Sequence, residues 1–471
     1  MQLNVFINSN FVGILSNDPL TNIFLFEYSE KWISREGSFE ITPWLPFKKD
    51  NSQSPLIHSA IVRQFFDNLL PEGKGLDTVS IFHQVSKSNL VGLMLNVGQD
   101  MAGAIKVQSL DFENSQCNTL RHLPFAELSE RIRNRNIQPF PVWDGKIRLS
   151  VAGFQDKIVA FEYSNRWSFA EGPDVSSNII IKPEPTALEM AGMTGNEFMC
   201  MKLAHAAGLP VAPVRIQYVP EPVLVISRFD RKTSEDGKSV ERIHVIDGCQ
   251  ALGISSSYKY ERPYCNNNSS NEIKNMRDGA SLPRIFELLE NSENPANQKI
   301  ELLRWTIFQA LISNTDAHAK NISFFCDASG LRLTPAYDLL CAPAFSNQPN
   351  LEDSFAMAIG DTFKPSELSA FEWAEFAVQC NLTQKIVGSE LKRLAILVEK
   401  VLPKVVEMAK ENNVPDFVIN QVSASIILVC RQQLKISKFI KDIDPELLSE
   451  SKGAAIKKKR ATKSKFTSPG L

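Results

Sequence analysis

The stretch Arg304–Phe325 constrains the fold more than any other part of the sequence, because it places a polar loop between a helix and a strand. Apolar residues recur at helical spacing in its first half, namely Trp305, Phe308, Leu311 and Ile312. The helical pattern breaks at Ser313–Asn314, and the apolar run Ile322–Phe325 predicts a strand. The chain must therefore hold a short polar loop in a fixed position between two apolar elements.

Two side chains in this loop have a spacing that suggests chemistry. Asp316 is followed by four residues and then by Asn321, which is the spacing of a protein-kinase catalytic loop. There the Asp accepts the proton of the attacking hydroxyl and the Asn holds Mg²⁺. The spacing alone also fits an Asn- and Asp-rich loop that only caps a buried helix, so the motif needs support from elsewhere in the chain.

That support comes from the segment after the predicted strand. A second apolar strand in LRLTPAYDLL runs into Tyr337-Asp338, and Asp338 occupies the place of the second metal-binding carboxylate of a kinase. Mg²⁺ takes oxygen ligands, usually one or two from protein together with phosphate oxygens and water. The order Asp316, Asn321, Asp338 therefore predicts a phosphoryl-transfer site with ATP and Mg²⁺.

Composition excludes several other classes of protein. The net charge of -2 gives no overall attraction to nucleic acid, and the eight Cys residues contain no C-x-x-C pair. They indicate reduced cytosolic thiols rather than disulfides or a zinc site. The start of the chain lacks a basic segment and a long apolar core, and no run of about eighteen apolar residues predicts a membrane span. We therefore expect a soluble cytoplasmic protein without a membrane partner.

The order of patterns predicts an α+β, two-lobed protein-kinase-like fold with four regions. We expect a β-rich N-terminal subdomain (residues 1–110), a β-rich ATP-binding lobe (111–247), a helical catalytic lobe (248–440) and a basic, disordered tail (441–471). A helix is expected at Ile57–Leu70, and a connector with one short helix at Leu110–Trp143. Pro403 should kink or split the long helix Thr383–Lys410. The tail carries KKKRATKSK, for which contact with nucleic acid is the alternative to a solvated segment.

Three further segments of the ATP-binding lobe suggest roles. The segment 151–157 is predicted to be a hairpin loop whose backbone N–H groups could cover phosphates, although a plain surface hairpin is the alternative. Lys182 ends the apolar strand at 178–183 and needs an anionic partner, either a phosphate or a carboxylate such as Glu197. Arg228, Asp230 and Arg231 could form no more than an ion-paired turn.

With these motifs in place, the chain resembles the HipA family of serine/threonine kinase toxins from HipA/HipB toxin–antitoxin pairs. LSVAGFQDK, NTDAHAKN and TPAYDLL carry the resemblance in the catalytic part, and FFDNLLPEG and NVGQDMAGAI carry it in the N-terminal part. The resemblance covers nearly the whole chain, and the combination of motifs is far more specific than any one of them.

The resemblance implies a role for each matching residue. Asp316 matches the general base, Asn321 and Asp338 match the metal ligands, and Ser150 matches an autophosphorylated serine whose modification silences the kinase. A phosphate at Ser150 would add nearly two negative charges beside a loop that holds the phosphates of ATP. The residues implied in ATP binding are Ala152, Gly153, Phe154, Gln155, Asp156, Lys157, Lys182, the hinge residues Ile246, Asp247 and Gly248, and His318, Ala319, Lys320, Asn321, Tyr337 and Asp338.

The resemblance also implies partners. It implies a HipB-like helix-turn-helix antitoxin, operator DNA bound through the antitoxin complex, and an aminoacyl-tRNA synthetase of the glutamate–tRNA ligase type as substrate, whose phosphorylation inhibits translation. Two alternatives stay open from the sequence. One is a small-molecule phosphotransferase with the same Asp/Asn/Asp set, and the other is a catalytically silent, antitoxin-bound DNA corepressor.

Overall fold

The structure, a computed structural model, describes residues 1–48, 54–111, 117–149, 155–265, 269–345, 354–444 and 446–448. An antiparallel sheet of four strands opens the chain, and four helices belong to the same region. The strands are β1 (Gln2–Ile7), β2 (Asn10–Asp18), β3 (Ile23–Tyr28) and β4 (Ile105–Ser109). The helices are α1 (Glu30–Ile33), α2 (Pro55–Asp67), α3 (Gly73–His83) and α4 (Leu90–Val97). The sheet order is β3-β2-β1-β4.

The first hairpin joins β1 and β2. Leu3, Val5 and Ile7 alternate toward the core, and Asn8 takes the left-handed conformation (φ 53°) that lets the chain reverse into β2. Helix α2 covers this sheet, with the ring of Phe66 5.8 Å from that of Phe26. The helix ends at Asp67, three residues earlier than the predicted end at Leu70.

A sheet of six strands lies in the middle of the chain, accompanied by two small two-stranded sheets and two helices. The strands of this region are β5 (Thr119–His122), β6 (Val142–Trp143), β7 (Lys146–Ile147), β8 (Ile158–Tyr163), β9 (Arg166–Glu171), β10 (Ile179–Pro183), β11 (Val214–Tyr218), β12 (Pro222–Ser227), β13 (Arg231–Thr233) and β14 (Val240–Arg242). Its helices are α5 (Phe125–Arg133) and α6 (Met193–Ala206). The six-stranded order is β11-β12-β10-β8-β9-β5.

Two predictions for this region were incomplete. The connector contains a strand besides its helix, since β5 pairs with β9 at the sheet edge. Its residues are mostly exposed and show no apolar alternation, so the sequence carried no strand signal there. The hairpin expected across residues 151–157 is described only in part, because residues 150–154 lie outside the described residues, although the Val159 N–H donates to the Arg148 carbonyl (3.0 Å) across it. The complete turn lies further on, where β8 turns into β9 at Ser164-Asn165, both with positive φ, while β7 pairs with β6.

The rest of the described chain is mainly helical around a three-stranded sheet of order β15-β16-β17. Its strands are β15 (Val245–Asp247), β16 (Ser323–Asp327) and β17 (Gly330–Leu333). Its helices are α7 (Gly248–Leu252), α8 (Asn271–Lys274), α9 (Leu282–Leu288), α10 (Pro295–Leu311), α11 (Ala370–Gln379), α12 (Gln384–Glu411) and α13 (Asp416–Ile436). The predicted split at Pro403 was wrong, because α12 continues through it.

The strand pattern of β10 explains how the middle sheet serves two cores. Ile179 and Ile181 face a smaller apolar cluster beneath α5, whereas Ile180 packs on the large core shared by the N-terminal and helical regions. Because side chains alternate along a strand, Lys182 points to the same side as Ile180. The backbone thus carries the ammonium group toward the space between the sheet and the helical region.

A buried charge network joins the N-terminal region to β12–β14, so Arg228, Asp230 and Arg231 are more than an ion-paired turn. Arg228 and Arg231 each lie 2.8 Å from the Asp230 carboxylate. Asp100 lies 3.1 Å from Arg231 and 3.7 Å from Arg242. Because water has little access to these charges, they must be neutralised by one another, and charged groups are buried only when they are paired in this way.

This network predicts acid-sensitive stability. Burial would raise the pKa of Asp230, but Arg228 and Arg231 outweigh it and lower the pKa from 3.8 to about 2. Because the folded-state pKa is depressed, the stabilisation is complete above pH ~4 and is lost as the pH falls through ~2. Asp230→Asn should therefore lower the free energy of unfolding by about 2 kcal/mol at pH 7. Urea denaturation measures this, and Asp236→Asn, at an exposed carboxylate, should change it by less than about 0.5 kcal/mol.

Candidate active site

A cleft with a volume of about 140 Å³ lies between the six-stranded sheet and the β15–β16 sheet. Strands β10, β12 and β15, the loop before β16 and the segment after β17 all contribute to its walls. The predicted site residues that line it are Lys157, Lys182, Asp247, His318, Lys320, Asn321, Tyr337 and Asp338. The fold therefore brings together residues from widely separated parts of the sequence.

Lys182 is the central cation of the cleft. Its Nζ lies 2.8 Å and 3.0 Å from the two carboxylate oxygens of Glu197 and 2.7 Å from Oδ1 of Asp338. Burial alone would lower the pKa of Lys182, but the carboxylates of Asp338 and Glu197 raise it well above its usual value. The lysine therefore stays charged, and Glu197, the partner considered from the sequence, is confirmed as its neighbour.

Asp338 sits in an unusual backbone conformation. Its φ is +57°, in the left-handed region that non-glycine residues seldom adopt. Burial would raise its pKa, but Lys182 and Lys157 lower the pKa to about 2, so the carboxylate is ionised. Its side chain remains 28% exposed to the cleft. A strained residue that presents an ionised carboxylate to a cleft is typical of functional sites.

The loop between α10 and β16 is held by its own hydrogen bonds. Ser313 takes a positive φ (51°) directly after the helix, and the backbone N–H of Asp316 donates to the side chain of Asn314 (3.1 Å). The backbone carbonyl of Asp316 accepts from the His318 N–H and from the Asn321 side-chain amide, both at 2.8 Å. These hydrogen bonds hold Asp316 and Asn321 in fixed positions within one short loop.

Asp316 lies at the mouth of the cleft rather than in its lining. Its Oδ1 accepts a hydrogen bond of 2.7 Å from the hydroxyl of Tyr260. Desolvation by the surrounding protein raises the pKa of Asp316 to about 6, and the Tyr260 bond opposes this shift. Because the side chain is 54% exposed, solvent screening reduces the shift. An accessible carboxylate with a pKa between its usual value and neutrality can accept a proton near pH 7.

The other loop residues support the walls of the cleft. His318 is buried 3.9 Å from Asp316, and burial lowers its pKa to about 3, so it is neutral at pH 7. Lys320 is buried as well, and its Nζ lies 2.5 Å from Asp247 and 3.0 Å from the carbonyl of Asn68. Tyr337 donates a hydrogen bond of 2.8 Å to the Lys320 carbonyl. Ala319 is fully buried and does not line the cleft.

Of the three predicted hinge residues, Asp247 lines the cleft. Val245 and Gln250, on either side of the predicted hinge, line it as well. Ile246 and Gly248 are buried outside the lining, and the Gly248 N–H already donates to the Ile322 carbonyl (2.9 Å). A Cβ at Gly248 would come within 2.5 Å of the Ala319 carbonyl oxygen, so no side chain fits there. Asp247 also caps α7, which fixes the turn from strand to helix.

The predicted phosphate loop is described only in part. Ser150, Ala152, Gly153 and Phe154 lie outside the described residues. Gln155 hydrogen-bonds to Met193, and the exposed Asp156 is 3.9 Å from Arg135. Lys157 is buried and lines the cleft, where burial and the charge of Lys182 lower its pKa to about 8.

Three residues of the site were not predicted from the sequence, although Asn68 and Glu72 lie in FFDNLLPEG, a motif that carries the family resemblance. Tyr260, Asn68 and Glu72 come from segments distant from the catalytic motifs, yet Asn68 and Glu72 line the cleft and Tyr260 contacts Asp316. Glu72 is linked to Lys259, the neighbour of Tyr260, at 3.2 Å. Because these contacts depend on tertiary packing, local spacing could not reveal them.

The donors in the cleft suit a magnesium ion that arrives with a phosphate ligand. Within the described parts of the chain, no group of three or more His, Cys, Asp or Glu side chains could hold a metal. Asn321 and Asp338 instead offer one amide and one carboxylate in the same cleft. This is the small set of protein oxygens with which Mg²⁺ commonly binds nucleotide phosphates.

No helix among the described residues is long and apolar enough to cross a membrane.

Comparisons with known proteins agree with this geometry. The HipA N-terminal domain family matches residues 3–108, and the HipA-like C-terminal domain family matches residues 149–403. The serine/threonine-protein kinase toxin HipA of Shewanella oneidensis is 34% identical over 87% of this chain and 90% of its own length. The candidate kinase Y4mE of Sinorhizobium fredii is 30% identical over 90% of this chain and 96% of its own length.

A solved structure gives the same result for the fold. The HipA chain from the complex of Shewanella oneidensis HipA, HipB and operator DNA superimposes with a TM-score of 0.82 at 32% identity. The match covers 94% of this chain and 100% of that chain. This confirms the predicted α+β, two-lobed HipA-like fold, whereas the four boundaries drawn from the sequence stay predictions. The chain therefore belongs to the HipA family of serine/threonine-protein kinase toxins.

Proposed function

We propose that the chain is an ATP- and Mg²⁺-dependent protein kinase that transfers the γ-phosphate to a serine or threonine of another protein. The observation that carries this is the arrangement of Lys182, Asp338 and Asn321 in one cleft with Asp316 at its mouth. Lys182 would hold the phosphates, and its bond to Glu197 sets the position of its ammonium. Asp316 would accept the proton of the attacking hydroxyl.

Asn321 and Asp338 would hold Mg²⁺, which neutralises charge on the phosphates during transfer. The bond from the Asn321 amide nitrogen to the Asp316 carbonyl orients the side chain so that its oxygen remains for the ion. The low pKa of Asp338 keeps its carboxylate ionised at any physiological pH. Lys157 adds another cation to the cleft, and Lys320 and Asp247, which also line it, are paired with each other.

The biological setting is part of the same proposal. A HipB-like helix-turn-helix antitoxin would bind the chain and link it to operator DNA, which is supported by the solved complex of a relative. The proposed substrate is an aminoacyl-tRNA synthetase of the glutamate–tRNA ligase type, phosphorylated in the cytoplasm to inhibit translation. Autophosphorylation of Ser150 would switch the kinase off. These finer points rest on family resemblance.

Intact-mass spectrometry tests the proposal. The purified, dephosphorylated protein is incubated with ATP and Mg²⁺, beside Asp316→Ala under the same conditions. A gain of one phosphate, located at Ser150 and seen in the parent protein alone, is the expected result. If neither protein gains phosphate and neither phosphorylates a purified synthetase, a protein-kinase function is contradicted.

Tyr260 predicts a shift in the dependence of activity on pH. Its hydroxyl donates to Asp316 and holds the pKa of that carboxyl down. Tyr260→Phe removes this bond, so the pKa of Asp316 should rise, and a higher pH is needed to keep the base ionised. We expect the acidic limb of the pH–kcat profile to move upward by about half a unit to one unit. Tyr264→Phe is the matched control, since Tyr264 bonds to Tyr258 and should leave the profile unchanged.

A further inference from the structure

A second cavity, with a volume of about 420 Å³, lies between the N-terminal region and the six-stranded sheet. It shares no lining residue with the cleft described above. Four basic side chains line it: Lys106, Lys146, Arg148 and Arg242. We call it the basic cavity.

Buried polar atoms in its wall have no partner. Arg242 is 5% exposed and Ser176 is 1% exposed, yet Nη1 of the arginine and Oγ of the serine make no hydrogen bond with the described protein. The same holds for Nε of Arg148 and Nε2 of His83. A buried donor that stays unpaired costs roughly 1–3 kcal/mol, so such atoms are seldom left without a partner. Several of them belong to residues that line one cavity, where an oxygen acceptor, from ordered water or from a ligand, would satisfy them.

The charges of the cavity agree with this reading. Its carboxylates are Asp100 and Glu171, and each is already shared. Glu171 lies 2.6 Å from Lys146 and 2.7 Å from Arg148, while Asp100 is held by the buried arginine network. Four cations thus face two carboxylates. The partly buried cavity therefore has an excess of positive charge, and a bound anion would balance this excess.

The hydrogen-bond donors that line the basic cavity indicate which kind of anion it would bind. Guanidinium groups, an ammonium and a hydroxyl together suit a tetrahedral oxyanion that accepts several charge-assisted bonds. Part of the cavity wall is apolar and includes Val97 and Phe169. The guanidinium of Arg148 lies over the Phe169 ring, 4.7 Å from its centroid. Its volume leaves room for an organic group beyond the phosphate. We propose that the basic cavity binds a small phosphomonoester, with its phosphate on Arg148, Arg242 and Ser176.

Inorganic phosphate is the probe that tests this proposal. Broadening of its ³¹P NMR line by the full-length protein should be saturable and should persist when AMP-PNP and Mg²⁺ are in excess. Arg148→Gln should weaken binding about tenfold, which corresponds to about 1.4 kcal/mol. Ser176→Ala, a minimal change that leaves the charge network intact, should weaken it by a smaller factor.

Arg121→Gln is the matched control. Arg121 also lies over the Phe169 ring, at 5.9 Å, and also pairs with a carboxylate, that of Glu127, but it is outside the cavity lining. Its variant should bind phosphate like the parent protein. The proposal is overturned if phosphate does not bind, if AMP-PNP abolishes binding, or if Arg121→Gln weakens it as much as Arg148→Gln. None of these outcomes depends on kinase activity.

Discussion

Replacing Asp316 by asparagine should lower kcat for phosphotransfer by about 10²–10⁴-fold, because positioned general bases contribute roughly that factor. The substitution keeps the size of the side chain and an oxygen that can accept the Tyr260 bond. It removes only the capacity to take a proton. Since the side chain is 54% exposed, the free energy of unfolding should change by less than about 0.5 kcal/mol. Steady-state kinetics with a purified substrate and urea denaturation measure the two effects.

A nearby carboxylate gives the control for this prediction. Asp327 ends β16, pairs with Arg332 and lies outside the cleft, so Asp327→Asn should retain the parental rate. In the parent protein, kcat should rise with pH across the raised pKa of Asp316, because only the ionised form can act as base. Parental kcat in Asp316→Asn, or a rate that falls as pH increases through this range, would rule out the assignment of Asp316 as base.

The catalytic segment could be predicted from sequence because its determinants are local. Asp316 and Asn321 lie in one loop whose ends are set by an amphipathic helix and an apolar strand, and both elements appear in the structure. Asp338 follows the next strand, so the hairpin of β16 and β17 places it near the loop. Lys182 was singled out because it ends an apolar strand, and the cost of an unpaired buried ammonium predicted an anionic partner such as Glu197; the structure places both Glu197 and Asp338 beside it.

What the sequence did not reveal depends on long-range contacts. Tyr260 reaches Asp316 and Asn68 reaches Lys320 through tertiary packing, for which neither periodicity nor spacing gives a signal. Strand β5 is held by backbone pairing at a sheet edge with largely exposed side chains, so it lacks a hydrophobic pattern. Pro403 lies within a long helix that packs on α6 and α13, and this tertiary packing overrides the local penalty.

Lys182→Met should lower the free energy of unfolding by about 3–5 kcal/mol and abolish phosphotransfer, because it leaves a buried ion pair without its cation. Glu197 is only 1% exposed, and Asp338 would lose its closest positive partner. Burial already raises the pKa of Glu197, and Lys182 is the main cation that opposes this rise. Without Lys182, the pKa of Glu197 should therefore rise further. A carboxyl with a raised folded-state pKa stabilises the fold below its unfolded pKa, and this contribution is lost as pH rises. The variant should therefore regain stability on acidification toward pH 5, as urea denaturation across pH 5–8 would show.

A second substitution separates the structural role of Lys182 from its catalytic role. In Lys182→Met/Glu197→Leu the buried carboxylate is replaced by an apolar group of similar volume, so most of the lost stability should return, as happens when buried ion pairs become apolar. Phosphotransfer should stay abolished, since no cation remains to hold the phosphates. If the double variant is as unstable as Lys182→Met, the cost arises from packing rather than from an unpaired carboxylate. If it recovers activity, Lys182 serves the fold alone, and another buried cation that lines the cleft, such as Lys157, must carry the phosphate contact.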